Sequence, residues 1–143
     1  MSFIIYFALS FVLYSSFAYA SPKSLNFQAR IKKPDGKNLE SPSVNFRFSY
    51  LNEAGSCVLY SEDFTGISMT GSAGMTNINL GLGTRVYPTS GATTLYDIFS
   101  NAGVTLNCQG GGTITPASTD RRSIVMQFNY DGSNGWQTLP LVN

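Results

Sequence analysis

The chain has 143 residues, of which 43% are hydrophobic and only 12% are charged, with nine basic and eight acidic residues and no histidine. This length suits one domain, and a net charge of +1 gives no electrostatic basis for nucleic-acid binding. An aromatic share of 13% argues against a disordered chain. Uncharged polar residues must therefore cover the surface, as is typical of secreted β proteins.

The first twenty residues have the pattern of a secretory signal peptide. Residues 3–17 are almost wholly apolar, and Ala18-Tyr19-Ala20 supplies the small-x-small pattern that signal peptidase cleaves, although no Lys or Arg precedes the run. We expect cleavage after Ala20, which leaves a single domain, 21–143, secreted or held at the cell surface (outer envelope). The alternative is an uncleaved anchor, since about 18 apolar residues just span a bilayer. We expect no membrane insertion after signal cleavage, because no later apolar stretch is long enough.

Period-two alternation of apolar and polar residues predicts that most of the mature chain forms β-strands, separated by turn signals such as the Pro-Asp-Gly sequence at 34–36. The predicted strands are 25–31, 44–50, 57–64, 67–69, 75–82, 104–108, 123–130 and 136–142. In 75–82 we expect Ile78, Leu80 and Leu82 to point inward. Gly81 and Gly83 share the opposite face, which indicates a close neighbour or a bulge there.

One segment breaks this alternation. Residues 93–101 carry apolar side chains spaced as on one helical face, and Thr94 stands three residues before Asp97, as in a capping box. We predict a short helix that ends before Gly103. Together the elements predict an all-β fold: an antiparallel β-sandwich, or a partly open barrel, of about seven to eight short strands with this one helix.

The two cysteines, Cys57 and Cys108, are the only ones in the chain. Export exposes a protein to oxidising conditions, so we predict a disulfide between them. Two cysteines without a histidine do not make a zinc site, and we expect neither a metal nor another cofactor.

Three short motifs carry a resemblance to a known family. These are Leu25-Asn26-Phe27-Gln28-Ala29-Arg30, then Val44-Asn45-Phe46-Arg47-Phe48 after the Pro-Asp-Gly turn, and later Asn77-Ile78-Asn79-Leu80-Gly81-Leu82-Gly83. In this order they resemble the N-terminal β module of exported bacterial fibre or tail-fibre-like surface proteins, including trimeric adhesins of predatory bacteria. The resemblance implies a structural or cell-adhesion role, other fibre or envelope proteins as partners, a homotrimer, and no catalytic residues.

The chain offers little catalytic chemistry. Without histidine, acid–base catalysis would fall to carboxylates, Tyr or Lys. Glu62 and Asp63 are adjacent, so on a strand they point to opposite faces and form no carboxylate pair. We interpret both as solvated charges at a strand edge, and Arg121-Arg122 as charges that protect an edge from pairing. No Ser-x-x-Lys pattern or phosphate loop occurs, so we expect a protein that is not an enzyme.

Ligand binding is the remaining candidate activity. Sugars are typically held by an aromatic face and a few amide or carboxylate groups, and the loop 130–136 offers Tyr130, Asp131, Asn134 and Trp136. The alternative is that both aromatics pack against the sheet in an ordinary hairpin. The second hypothesis for function is therefore a soluble lectin-like domain that binds envelope glycans. The apolar end, 139–143, is expected either to dock into the sheet or to lead into further chain.

Overall fold

The computed structural model describes residues 24–91, 93–101, 103–130, 132 and 135–139. Within these ranges the chain is mostly β, with antiparallel sheets, one short helix and no closed barrel, as the sequence predicted. The elements are β1 (Leu25–Arg30), β2 (Val44–Asn52), β3 (Val58–Ile67), β4 (Met75–Leu80), β5 (Thr84–Tyr87), α1 (Leu95–Phe99), β6 (Leu106–Asn107), β7 (Thr113–Ile114), β8 (Arg122–Asn129) and β9 (Gln137–Thr138).

A five-stranded antiparallel sheet in the order β5-β3-β2-β8-β9 forms one layer of the sandwich. Its central strand, β2, buries Val44, Phe46, Phe48 and Tyr50 completely, because every second side chain points to the core. The predicted hairpin between the last two strands is confirmed, since β9 pairs with β8.

The second layer is small. It consists of β1 and β4, paired antiparallel, and their inward side chains join one hydrophobic core with those of β2 and β8. Phe27 of β1 meets Phe48 of β2 edge to face, with ring centroids 5.1 Å apart. The helix α1 and β6, which pairs with β7, add Leu95, Ile98 and Leu106 to the same core. In the described residues the small layer still leaves the side of the sandwich between β1 and β8–β9 open.

Several predicted boundaries were wrong. The segment 67–69 is no separate strand, because β3 continues to Ile67. Leu82 is 65% exposed rather than inward, because β4 ends at Leu80 and Gly81 turns the chain with φ 92°. The short strands β5 and β7 were not predicted, and the last four residues of the chain lie outside the described residues.

The helix is capped as predicted. The Thr94 hydroxyl accepts a hydrogen bond from the amide of Asp97, and the Thr94 amide donates to the Asp97 carboxylate at 2.6 Å. Arg122 pairs with Asn52 of β2 on one side of β8, whereas β9 pairs with β8 only at Gln127 and Phe128, so edge protection by Arg121 and Arg122 stays a prediction. Arg122 also donates to the carbonyl of Ile98 at 2.6 Å and ties the helix to the sheet.

The predicted disulfide is confirmed. Cys57 and Cys108 are bonded, with Cα atoms 5.1 Å apart, and the bond links the start of β3 to the chain just after β6. The predicted signal peptide, 1–20, lies outside the described residues. No helix in the part of the chain that the structure describes is long and apolar enough to cross a membrane.

Candidate functional site

The open part of the sandwich is a cleft of about 650 Å³ between the two layers. On one side lie β1 and the turn that follows it, and on the other lie β8, β9 and Leu139. Its apolar floor is formed by Phe27, Ala29, Ile31, Ile124, Met126, Phe128 and Leu139. Phe27 and Ala29 point inward yet are only half-buried, because no described strand lies beyond β1 to cover them. We call this feature the edge cleft.

Basic residues flank the edge cleft on the side of β1. Arg30, Lys32 and Lys33 line it, and no acidic residue belongs to its described lining. None of the three forms an ion pair with a described acidic residue. The Lys33 ammonium lies 5.1 Å from the ring centroid of Tyr130, which fixes one positive charge at the mouth of the cleft. The cleft therefore combines an apolar floor with a cationic rim.

Tyr130 and Trp136, predicted to share a sugar site, lie on opposite faces of the five-stranded sheet. Tyr130 stacks on the buried ring of Phe128, so it belongs to the core face. The Trp136 ring lies over the guanidinium of Arg47 at 4.5 Å, on the outer face. Asp131 and Asn134 lie outside the described residues. The structure does not bring the two rings together on one platform.

On the outer face, Trp136 belongs to a small charged cluster. Two nitrogens of Arg47 donate to the two carboxylate oxygens of Asp63, each at 2.7 Å. The hydrogen bond to Asp63, with the charge of that carboxylate, raises the pKa of Arg47 against the lowering effect of burial. Trp136 keeps 36% of its surface exposed. A planar cation, a carboxylate and an exposed indole together could contact a polar ligand.

Glu62 was misjudged from the sequence: it is not solvated but fully buried. Its carboxylate accepts hydrogen bonds from the Tyr50 hydroxyl at 2.8 Å and from the amides of Gly81 and Gly83 at 2.8 and 2.9 Å. A Cβ on Gly83 would come within 2.9 Å of this carboxylate, which explains the close neighbour predicted beside the two glycines. Glu62 and Asp63 do point to opposite faces, as predicted.

Amide side chains line the outer face of the small β1–β4 sheet. Asn26 donates to the side-chain carbonyls of Asn77 and Asn79, at 2.6 and 3.0 Å. Gln28 faces Asn77 across the pair and is exposed. The same face ends in the exposed pair Arg30 and Met75. Its amide groups suit hydrogen bonding to another chain or to a sugar.

No protein-family model, curated protein or solved structure matches the chain. Within the described ranges, no three of His, Cys, Asp and Glu lie close enough together to hold a metal ion.

Sequence reasoning did not find the edge cleft. The alternation over 25–31 predicts a strand, but nothing local shows that this strand would lie at the edge of its layer. The nearest signal was the concentration of basic residues around the first turn, at Lys32, Lys33 and Lys37. Charge near an apolar strand is ambiguous, because solvated turns carry the same composition.

Proposed function

We propose that this chain is an exported, non-enzymatic structural and adhesion module of a bacterial surface fibre, which joins other fibre or envelope proteins through the edge cleft. The observation that carries the proposal is the open side of the sandwich, where apolar residues of both layers stay half-covered beside two edge strands, β1 and β9. Natural proteins usually blunt or cover such edges, so an open one beside an apolar floor is a reason to expect a partner.

Further features support the proposal. The disulfide between Cys57 and Cys108 suits a non-reducing compartment, in agreement with the apolar N-terminal run and the cleavage pattern at Ala20. The amide-rich outer face of the β1–β4 sheet suits a protein exposed outside the cell. The resemblance to the N-terminal modules of fibre proteins points the same way.

Cross-linking in the source organism tests the proposal. A photo-reactive amino acid is placed at Ala29, inside the edge cleft, and in a matched control at Thr119, an exposed residue outside its lining. We expect a cross-link to another envelope or fibre chain from Ala29 and none from Thr119. A product of twice the chain's mass would identify a second copy, as a homotrimer requires. An Ala29 variant that is exported and folded but forms no cross-link to any protein would overturn the proposal.

The second candidate function is that of a lectin-like domain that binds envelope glycans. One observation favours it: Trp136 is exposed beside the Arg47–Asp63 pair, so an aromatic surface and hydrogen-bonding groups adjoin. Because Tyr130 faces the other side of the sheet, this site would rest on Trp136 and the outer-face residues. A glycan array with the Trp136→Ala variant tests it.

A further inference from the structure

The free edge of β1 has unused hydrogen-bonding groups. The Ile31 amide donates to the carbonyl of Gly74 at 2.8 Å, so at this register the odd-numbered residues of β1 turn their backbone groups toward β4. In an antiparallel pair the direction alternates from one residue to the next. The amides and carbonyls of Asn26, Gln28 and Arg30 therefore point away from β4, and no other described strand pairs with β1.

A strand added at this edge would lie over the edge cleft. Neighbouring strands lie about 4.8 Å apart, so the added strand would extend the small layer toward β8 and β9. Every second side chain of that strand would point at the apolar floor around Phe27, Met126 and Leu139. The two layers would then match more closely in width, and the half-buried residues of β1 would be covered.

The charges near the free edge of β1 indicate which side chains an added strand would carry. The described residues 24–37 include four basic residues, Arg30, Lys32, Lys33 and Lys37, against one acidic residue, Asp35, which lies 3.8 Å from the Lys37 ammonium. Arg30 and Lys32 are exposed and occupy alternate positions along the chain, on the outward side of β1. The outward side chains of an added strand would lie next to them, where Asp or Glu is favoured and Lys or Arg is repelled.

Resting on the proposed function, we infer that the edge cleft binds an extended peptide segment of another protein, in which apolar residues alternate with Asp or Glu. The segment adds to β1 as a third strand, with its apolar side chains on the cleft floor and its carboxylates beside Arg30 and Lys32. An anionic lipid would also find an apolar floor and a cationic rim, but it has no use for the unpaired amides and carbonyls of β1. The strand edge therefore favours a peptide.

The test uses the exported, oxidised protein and the blocked heptapeptide Asp-Val-Glu-Val-Asp-Val-Glu, followed by heteronuclear NMR, which detects millimolar binding. We expect shifts at Asn26, Gln28, Ala29 and Leu139. A peptide with Lys in place of each acid should bind at least about tenfold more weakly, as should a peptide N-methylated at alternate amides. Lys32→Glu should weaken binding at least about tenfold, whereas Arg121→Glu, the same charge change at an exposed residue outside the cleft, should leave it unchanged.

Three results would overturn the inference: no shifts with the acidic peptide, equal binding of the acidic and lysine peptides, or binding that N-methylation does not change. Phosphatidylglycerol vesicles are tested in parallel, and vesicle binding lost in Lys32→Glu, in a protein that ignores the peptide, would also overturn it in favour of a lipid. Thermal unfolding checks that both variants are folded. If Ala29 cross-links to an envelope protein but no acidic peptide binds, this inference fails while the proposed function stands; if neither occurs, both fail.

Discussion

The hydroxyl of Tyr50 donates a 2.8 Å hydrogen bond to the carboxylate of Glu62 at a point where both side chains have 0% exposure. The same carboxylate accepts hydrogen bonds from the amides of Gly81 and Gly83, in the turn between β4 and β5. It therefore links β2 and β3 of the large sheet to the chain leaving the small layer. Each of these groups donates a hydrogen bond to the carboxylate, and these bonds replace the ones that the carboxylate would make to water in the unfolded chain.

Substitution of Glu62 should be strongly destabilising. In Glu62→Leu the Tyr50 hydroxyl and both glycine amides lose their acceptor inside the core, and we expect the free energy of unfolding to fall by about 3 kcal/mol or more. Urea denaturation measures it. The matched control is Glu53→Leu, an exposed position where the change should stay within about 0.5 kcal/mol. Equal stabilities of the two variants would show that the buried carboxylate contributes nothing to the fold.

The stability should fall in alkali because of Tyr50. Burial, then the charge of Glu62 and the hydrogen bond to it, raises the pKa of Tyr50 well above its ordinary value, so the folded protein holds the phenol proton more tightly than the unfolded chain does. This contribution is complete below about pH 10, where unfolded tyrosine begins to titrate, and is lost as the pH rises further.

We expect the free energy of unfolding to drop above about pH 10, with a share from Tyr50 of up to about 1.4 kcal/mol per pH unit. Tyr50→Phe removes that share, and urea denaturation from about pH 8 to about pH 11 measures both proteins. Burial also raises the pKa of Tyr60, so a smaller slope should remain in the variant. Identical slopes in the two proteins would refute the assignment to Tyr50.

Loss of the disulfide should cost much of the domain's stability. Cys57 and Cys108 are 51 residues apart in sequence, so the bond lowers the conformational entropy of the unfolded chain considerably. Its removal should lower the free energy of unfolding by about 4 kcal/mol. The double variant Cys57→Ser/Cys108→Ser is compared with the oxidised protein by chemical denaturation. A thiol assay of the unfolded, untreated protein should find no free thiol, and detection of two would contradict the bond.

Glycan binding, if it occurs, should depend on Trp136 and not on Tyr130. Trp136→Ala removes the exposed indole over Arg47, whereas Tyr130→Phe keeps the ring that stacks on Phe128 and changes only the hydroxyl. On a glycan array we expect any specific binding to disappear in Trp136→Ala and to persist in Tyr130→Phe. Loss in both variants would instead indicate one site that spans the two rings.

The sequence predicted the parts of this fold that depend on local patterns. The alternation of apolar and polar residues predicted β2 and β8, which the structure contains as strands that bury one face. The spacing of Thr94 and Asp97 predicted the capped helix, which is also present. The two cysteines were paired correctly because the chain has no others. The strands and the helix could be predicted because each depends only on residues close together in the sequence.

Long-range pairing decided what the sequence did not predict. Glu62 can be buried because the amides of Gly81 and Gly83, 19 and 21 residues further on, donate hydrogen bonds to its carboxylate. The edge cleft exists because β1 pairs with β4 rather than joining the five-stranded sheet. Tyr130 and Trp136 are separated because β8 and the approach to β9 present opposite faces. No periodicity within one strand contains this information.

Hydrogen exchange at the edge of β1 tests most directly the claim that another protein joins this module at the edge cleft. Mass spectrometry compares the amides of Asn26, Gln28 and Arg30 in the isolated exported protein and in the protein recovered within its native envelope complex. The account predicts rapid exchange in isolation and strong protection in the complex, with the exposed Thr119 as an unprotected reference. Equal exchange of the three amides in both samples would show that no chain pairs with β1 and would contradict the account.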